Sequence, residues 1–574
     1  MRRALLVCLV IAGCGDNAAK NGKADAGSNP QHDAKVFMDA KVFMDAPVGV
    51  TGTIADVRAS NDGTIGIDLA DVVVTYVKPQ VGDPASDPAG FTIQVDQTGP
   101  AIFVAVDPST LSPVPVAGDK VSFTATEKKT VSGQPRITML GAFTRTGTGT
   151  DLSTIVQNIT TATDEVTAVD NYDSELVTVT GTLKNAVKSS GQGFQSFEID
   201  ATGGLTGSTA FVLRAPTALM GSIDITQDCT FTASNVTFSK FMSGNTTNAE
   251  VNVFVAGDIA LSGCAAPAVS KAVALSDTTV RVTFTRNIDS NSLHANGDQF
   301  TIPGLTVNAA AVTGKVITLT TTTQTALSPY VLTVANTLKD LQGTTMTVAG
   351  VANFPGYTAP AVVLLNEVNA NITGSCDLVE LRVKADGSLG NFRLQERDGS
   401  TNNYTFPATL QVHKNDIVVV HYGTSTTCKP ATAVSETGTI TDDTSATGIA
   451  TAWDEYTASA GLTNTTNVLT LYDPTDAIVD AVDLADPGAL GTIAGATLSQ
   501  AAVVANANQW DAAPDGTTFG MVCVTDMSKT GTAKTGASIQ RLSDTDTNKK
   551  ADWTTDVGAA GSFGVLNAGE TAYP

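Results

Sequence analysis

Val280-Arg281-Val282-Thr283-Phe284 is followed by Thr285-Arg286-Asn287-Ile288-Asp289, and its first five residues alternate apolar with polar. Side chains on a strand point to opposite faces with a period of two, so Val280, Val282 and Phe284 share one face while Arg281 and Thr283 share the other. Such a strand rests one face on a core and turns the other to water. Short runs of the same kind recur at Val72–Val77, Leu176–Thr180, Val316–Thr320, Ile417–Val420 and Val468–Tyr472. Gly, Asp, Asn and Pro separate them, which predicts an all-β chain of sandwiches or barrels. No helical periodicity outlasts about two turns, so no long helix is expected.

The chain has 574 residues, enough for several domains. Its 33 basic and 56 acidic residues give a net charge of −23, with 42% apolar and 16% charged residues. The apolar share excludes global disorder. The negative charge disfavours a nucleic-acid partner, since a duplex binder needs a basic footprint. Only four histidines limit histidine-based catalysis and metal binding.

Met1-Arg2-Arg3 precedes the apolar run Ala4–Gly13. That run is too short to span a bilayer, which takes about 20 residues, and has the shape of a secretory signal. It ends Ile11-Ala12-Gly13-Cys14, which resembles a bacterial lipobox. The resemblance implies a signal peptide over 1–13, and a Cys14 carrying diacylglyceryl on sulfur and an acyl chain on the new amine. More than one chain on a residue makes a stable membrane anchor. Gly15 after the cysteine, by resemblance to Gram-negative lipoproteins, implies the outer membrane, surface-exposed or facing the periplasm. Residues 14–47 then form a flexible tether with a duplication, Asp33–Met38 and Asp39–Met44. Its Val-Phe-Met pairs serve as spacer or as a docking peptide.

Four blocks follow. Residues 48–148 order Val72–Thr75, Gly90–Val95, Gly99–Val104 and Val116–Val121 in a way that resembles the OB-like β-barrels of exported bacterial proteins. Residues 150–264 repeat that plan more loosely, through Leu176–Leu183, Gly193–Ile199 and Val251–Val255. Residues 265–357, with Val280–Asp289, Phe300-Thr301-Ile302, Tyr330–Val334 and Lys339–Gly343, resemble a bacterial Ig-like domain of the S-layer type. Residues 359–574 resemble a lamin-tail domain, itself an Ig-like sandwich. The carrying residues are Val363–Val368, Asp377–Leu381, Tyr404–Pro407, Ile478-Val479-Asp480 and Gly536–Arg541. All the tryptophans (Trp453, Trp510, Trp553) fall in this last block, which predicts the largest core there. Modules of these kinds are expected to fold independently and to leave loops free for recognition.

Export permits disulfides. Cys229 and Cys264 share a block and are the first candidate pair. Cys376, Cys428 and Cys523 share the last block, where Cys376–Cys428 is favoured although spacing does not fix the connectivity. A zinc site is the rival reading, but no Cys-x-x-Cys is present and no histidine lies near these cysteines.

The sequence lacks Gly-x-Ser-x-Gly, a phosphate-binding Gly-x-x-x-x-Gly-Lys-Ser/Thr and His-Glu-x-x-His. No catalytic residue, metal ligand or cofactor is therefore expected. His413 and His421 flank the run Ile417–Val420 and read as exposed or satisfied strand-end residues. Glu367 and Glu380 resemble an acid and base pair but read as braces between strands. Asp544-Thr545-Asp546-Thr547-Asn548 opens like a calcium loop, yet Lys549 and Thr555 stand where that loop needs Gly and Glu. Lys120, Lys128, Lys129, Arg136 and Arg145 lie near Phe123 and Phe143. They would suit a single-strand groove, or a lysine-protected sheet edge, the reading preferred. The expectation is a lipid-anchored, non-enzymatic envelope protein with matrix polysaccharide or a surface protein as partner. An accessory role in extracellular DNA handling is the second choice, and an unrecognised hydrolase the third.

Overall fold

The strand predicted over Val280–Phe284 runs over Thr279–Phe284 in the computed structural model, with Val280, Val282 and Phe284 buried and Arg281 and Thr283 partly exposed. The structure describes residues 50–574 apart from 83, 86, 192, 373–375, 400, 460, 487–492, 494, 511–524, 527–537 and 555–560. The expected signal peptide, Cys14, the tether and Cys523 lie outside the described residues. The described chain is all-β and multidomain, as its alternation predicts.

The first module closes a five-stranded barrel in the order Gly63–Lys78, Gly90–Gln94, Ala101–Val104, Gln134–Gly147, Lys120–Val131 and back to Gly63–Lys78. One contact, between Ala101–Val104 and Gln134–Gly147, is parallel. The second module repeats this circuit through Leu176–Ser189, Phe194–Ala201, Phe211–Pro216, Thr246–Asn252 and Thr230–Ser243, again with one parallel contact. That is the closed Greek-key circuit expected of an OB-type barrel. The third module packs a four-stranded sheet on a three-stranded one. The fourth packs two five-stranded sheets around a core that holds Trp453, Trp510 and Trp553. A helix, Gly495–Asn506, lies on this core through Ala501 and Val504. It corrects the expectation that no long helix would form. Among the described residues no helix is long and apolar enough to cross a membrane.

The modules are not independent beads. Between the first and second, Arg58 donates to the carbonyl of Asp173 at 3.1 Å, and Gln94 accepts from the Leu176 N–H at 2.8 Å. Between the second and third, Arg286 is 2% exposed; it pairs with Asp340 of its own module at 2.8 Å and reaches across to Asp224 at 3.3 Å. Lys315 also reaches Asp224, at 3.1 Å. Polar groups removed from water must find partners, and here they find them across module boundaries. Cys229 is bonded to Cys264 and Cys376 to Cys428.

Candidate functional site: a cleft between the third and fourth modules

The strands Val269–Ser276 and Gly350–Pro355 bring the third module against the fourth, and a cavity of about 270 Å³ opens where they meet. That volume lies near the lower end for small-ligand sites, roughly 300–1,000 Å³. Its floor is apolar, with Val273, Leu275 and Pro355 on one side and Phe392, Ala408 and Pro474 on the other. Two local features shape the far wall. A methyl group at Gly390 would sit 2.2 Å from the Ala408 carbonyl oxygen, so only glycine permits this approach. Asn391 takes a left-handed φ of 62°, a conformation asparagine tolerates better than most residues.

The rim carries polar groups that find no partner among the described residues. Among the described residues, the Tyr357 and Thr358 hydroxyls and the Asn391 side-chain amide have no hydrogen-bond partner. Asp473 spends one oxygen on its own loop. Its Oδ1 accepts from the Thr475 N–H (2.7 Å), the Thr475 hydroxyl (2.6 Å) and the Ala477 N–H (3.0 Å). Its Oδ2 has no partner among the described residues. The next residue of that wall, Asp476, gathers cations from both modules: Lys271 at 3.0 Å, Arg393 at 3.6 Å and Arg281 at 3.9 Å. Arg281 also donates to the Thr475 carbonyl, and Arg393 lies over the Tyr472 ring at 4.3 Å.

A second cavity, about 70 Å³, lies between the first and second modules and is lined by Lys78, Arg136, Arg214, Asp87 and Glu250. Its groups are already spent on one another. Arg214 makes two hydrogen bonds to the Asp87 carboxylate, at 3.1 and 2.8 Å, and lies over the Phe194 ring at 3.6 Å. Lys78 donates to the Asp87 and Pro88 carbonyls at 3.0 and 2.8 Å. Burial pulls the Lys78 ammonium down to about 8 and pushes Glu250 above the usual carboxylate range. The first cavity therefore has free recognition groups, while this one is an internal polar joint.

The residues singled out in the sequence fall elsewhere. Glu367 and Glu380 face each other across paired strands and are fully buried. Glu367 accepts from Ser538, Gln540 and Ser562, and Glu380 from Asn366 (2.8 Å) and the Gly564 N–H (2.7 Å). Desolvation, then the neighbouring Glu367, pushes Glu380 well above its ordinary value. They tie strands together away from the cleft. His413 is exposed, whereas His421 is buried, 2.7 Å from Asp454 and stacked on Tyr456 with ring centres 4.5 Å apart. Asp544 pairs with Arg382, and Asp546 with Arg541 at 3.0 Å, so two of the carboxylates of the calcium-like loop are engaged by guanidinium groups. Among the described residues no cluster of three or more His, Cys, Asp or Glu is arranged to hold a metal.

In the first barrel, Lys128 pairs with Asp62 (3.2 Å), Lys129 with Glu127 (3.3 Å) and Arg145 with Asp119 (3.3 Å). Phe123 and Phe143 stack on each other at 6.3 Å as part of the barrel core. The aromatic platforms of a single-strand groove are thus used for packing. Sequence reasoning missed the cleft because its residues come from two blocks and carry no shared local pattern. The one available signal was the Tyr357-Thr358 pair at the block boundary.

The family model TP_1001_2nd, described as "protein second domain", matches residues 361–555. No curated protein matches the chain. Among solved structures, the chain is similar to the N-terminal part of the bacterial S-layer protein SbsC, with 19% identity and a TM-score of 0.16. That match covers 27% of this chain and 40% of the other, so the chain spans less than half of that relative. It is similar to the p204 HINb domain, with 10% identity, a TM-score of 0.21, and 36% and 100% of the two chains covered. A third likeness is to the Bacteroides ovatus mixed-linkage glucan utilization locus protein SGBP-B, solved with a mixed-linkage heptasaccharide. It has 10% identity and a TM-score of 0.12, and covers 52% and 55% of the chains.

Proposed function

We propose that this chain is a lipid-anchored, non-enzymatic envelope protein of the outer membrane, which uses the cleft between its third and fourth modules to bind a component of its surroundings. The anchor reading rests on the signal-like run ending at Cys14. The binding reading rests on one observation: an apolar floor ringed by a hydroxyl pair, an amide and a carboxylate oxygen that have no partner among the described residues. Pockets that recognise small ligands combine an apolar lining with a few placed polar groups in this way. Matrix polysaccharide is the favoured partner and a surface protein the alternative. The non-enzymatic reading is supported by the burial of Glu367, Glu380 and His421, each committed to a structural partner.

Metabolic labelling with a fatty acid, followed by membrane fractionation, tests the anchor. Label and membrane association are expected for the native chain and lost in Cys14→Ser. An unlabelled native chain recovered from the culture fluid refutes the reading. Turnover of glycan or phosphodiester substrates by the purified protein refutes the non-enzymatic part.

A further inference from the structure

We infer that the cleft takes an acidic sugar unit, a uronate residue of a polysaccharide; this rests on the reading of the cleft as a binding site. Two features together select that class. The first is the cationic margin. Lys271, Arg281 and Arg393 converge on the wall loop and are met there by a single carboxylate, Asp476. These cations stand just outside the cavity lining, where three positive charges meet the two carboxylates of the loop, Asp473 and Asp476, in a chain whose net charge is −23. Lys271 and Arg393 remain 38% and 28% exposed and their partner Asp476 41%, so a carboxylate on a ligand that extends past the lining meets them without first breaking a buried pair. Guanidinium and ammonium groups make charge-assisted hydrogen bonds to carboxylates, roughly twice as strong as neutral ones.

The second feature separates a sugar from an acidic peptide. Asp473 faces the cleft with a partnerless Oδ2 among the described residues, and an ionised carboxylate only accepts hydrogen bonds. It accepts from sugar hydroxyls and repels the side chains of an acidic peptide. Tyr357, Thr358 and Asn391 add donors and acceptors that match hydroxyl groups, while Val273, Leu275 and Phe392 offer apolar surface for the face of a sugar ring. A neutral sugar would use the rim but gain nothing from the cations. A polyanion without hydroxyls would use the cations but meet Asp473.

The test is calorimetric titration of the full protein with oligogalacturonate, neutral oligogalactoside of equal length, and oligoglutamate. Oligogalacturonate is expected to bind at least about tenfold more tightly than either alternative, and to weaken as salt rises from about 0.05 to about 0.5 M. Lys271→Gln and Arg393→Gln should each lower its affinity about tenfold. Thr358→Trp, at a partly exposed rim position, should block binding while leaving the melting temperature unchanged. Equal binding of the neutral sugar, equal binding of oligoglutamate, or no binding of oligogalacturonate overturns the inference. The outcomes also separate from the anchor test. Fatty-acid labelling at Cys14 with no uronate binding removes this proposal alone, and uronate binding by an unlabelled chain removes the anchor alone.

Discussion

Replacing Arg286 by Met is expected to destabilise the joint between the second and third modules by about 3 kcal/mol. Arg286 is 2% exposed, and Asp340 and Asp224, its partners at 2.8 and 3.3 Å, are 0% and 1% exposed. Methionine keeps an apolar stem but leaves both carboxylates without their guanidinium, and breaking a buried pair in this way costs roughly 3–5 kcal/mol. The lower end applies here because other donors remain. Asp224 keeps Lys315 at 3.1 Å and the Asn287 N–H at 3.0 Å, and Asp340 keeps the N–H groups of Gln342 (3.0 Å) and Thr344 (2.7 Å). For a unit of about 200 residues each kcal/mol moves the melting temperature by roughly 2–4 °C, so the shift should be about 6–12 °C. Differential scanning calorimetry of the full chain measures it. Because the lost contact with Asp224 bridges two modules, the variant should also show a separated transition that the parent lacks. A shift under about 2 °C, no larger than that of the exposed Lys129→Ala, would refute the view that the modules are locked by buried charge.

Stability should also fall as pH rises from about 4.5 to about 8, because burial pushes the Glu455 carboxyl from 4.5 up to about 8 and the folded state holds a proton that the unfolded chain has released. Glu455→Gln should flatten the difference between urea midpoints measured at pH 5 and pH 8; an unchanged profile would count against it. Asp377 and Asp480, both raised to about 6 chiefly by burial, add to the lower half of the same window. Removing either disulfide should cost about 4 kcal/mol on chain entropy, since the bridged residues are 35 and 52 apart. The Cys229→Ala/Cys264→Ala and Cys376→Ala/Cys428→Ala double variants, melted beside the parent, check this.

The strands were legible because period-two alternation is a local property. Val280–Phe284 and Val468–Tyr472 fall within Thr279–Phe284 and Thr466–Tyr472. The helix Gly495–Asn506 was not legible, because its buried face uses Thr497, Gln500, Ala501 and Val504, a mixture without strong hydropathy contrast. The charged joints were hidden for another reason. Arg286 and Asp224 look like ordinary surface residues until residues 62 positions apart meet in a dry interface. The cleft escaped likewise, since Val273 and Phe392 read only as core residues of separate blocks.

The sharing of groups between the two barrels bears on the order of assembly. A chain made from its amino end presents Gln94 and Arg58 long before Leu176 and Asp173 exist to meet them. The turn at Ser132 likewise waits for Met242, whose N–H it accepts at 2.7 Å. The joint between the barrels is therefore complete only once roughly the next hundred residues have emerged. A ribosome-stalled nascent chain ending inside the second barrel would hold all five strands of the first one but leave Arg58, Gln94 and the Ser132 turn without these partners.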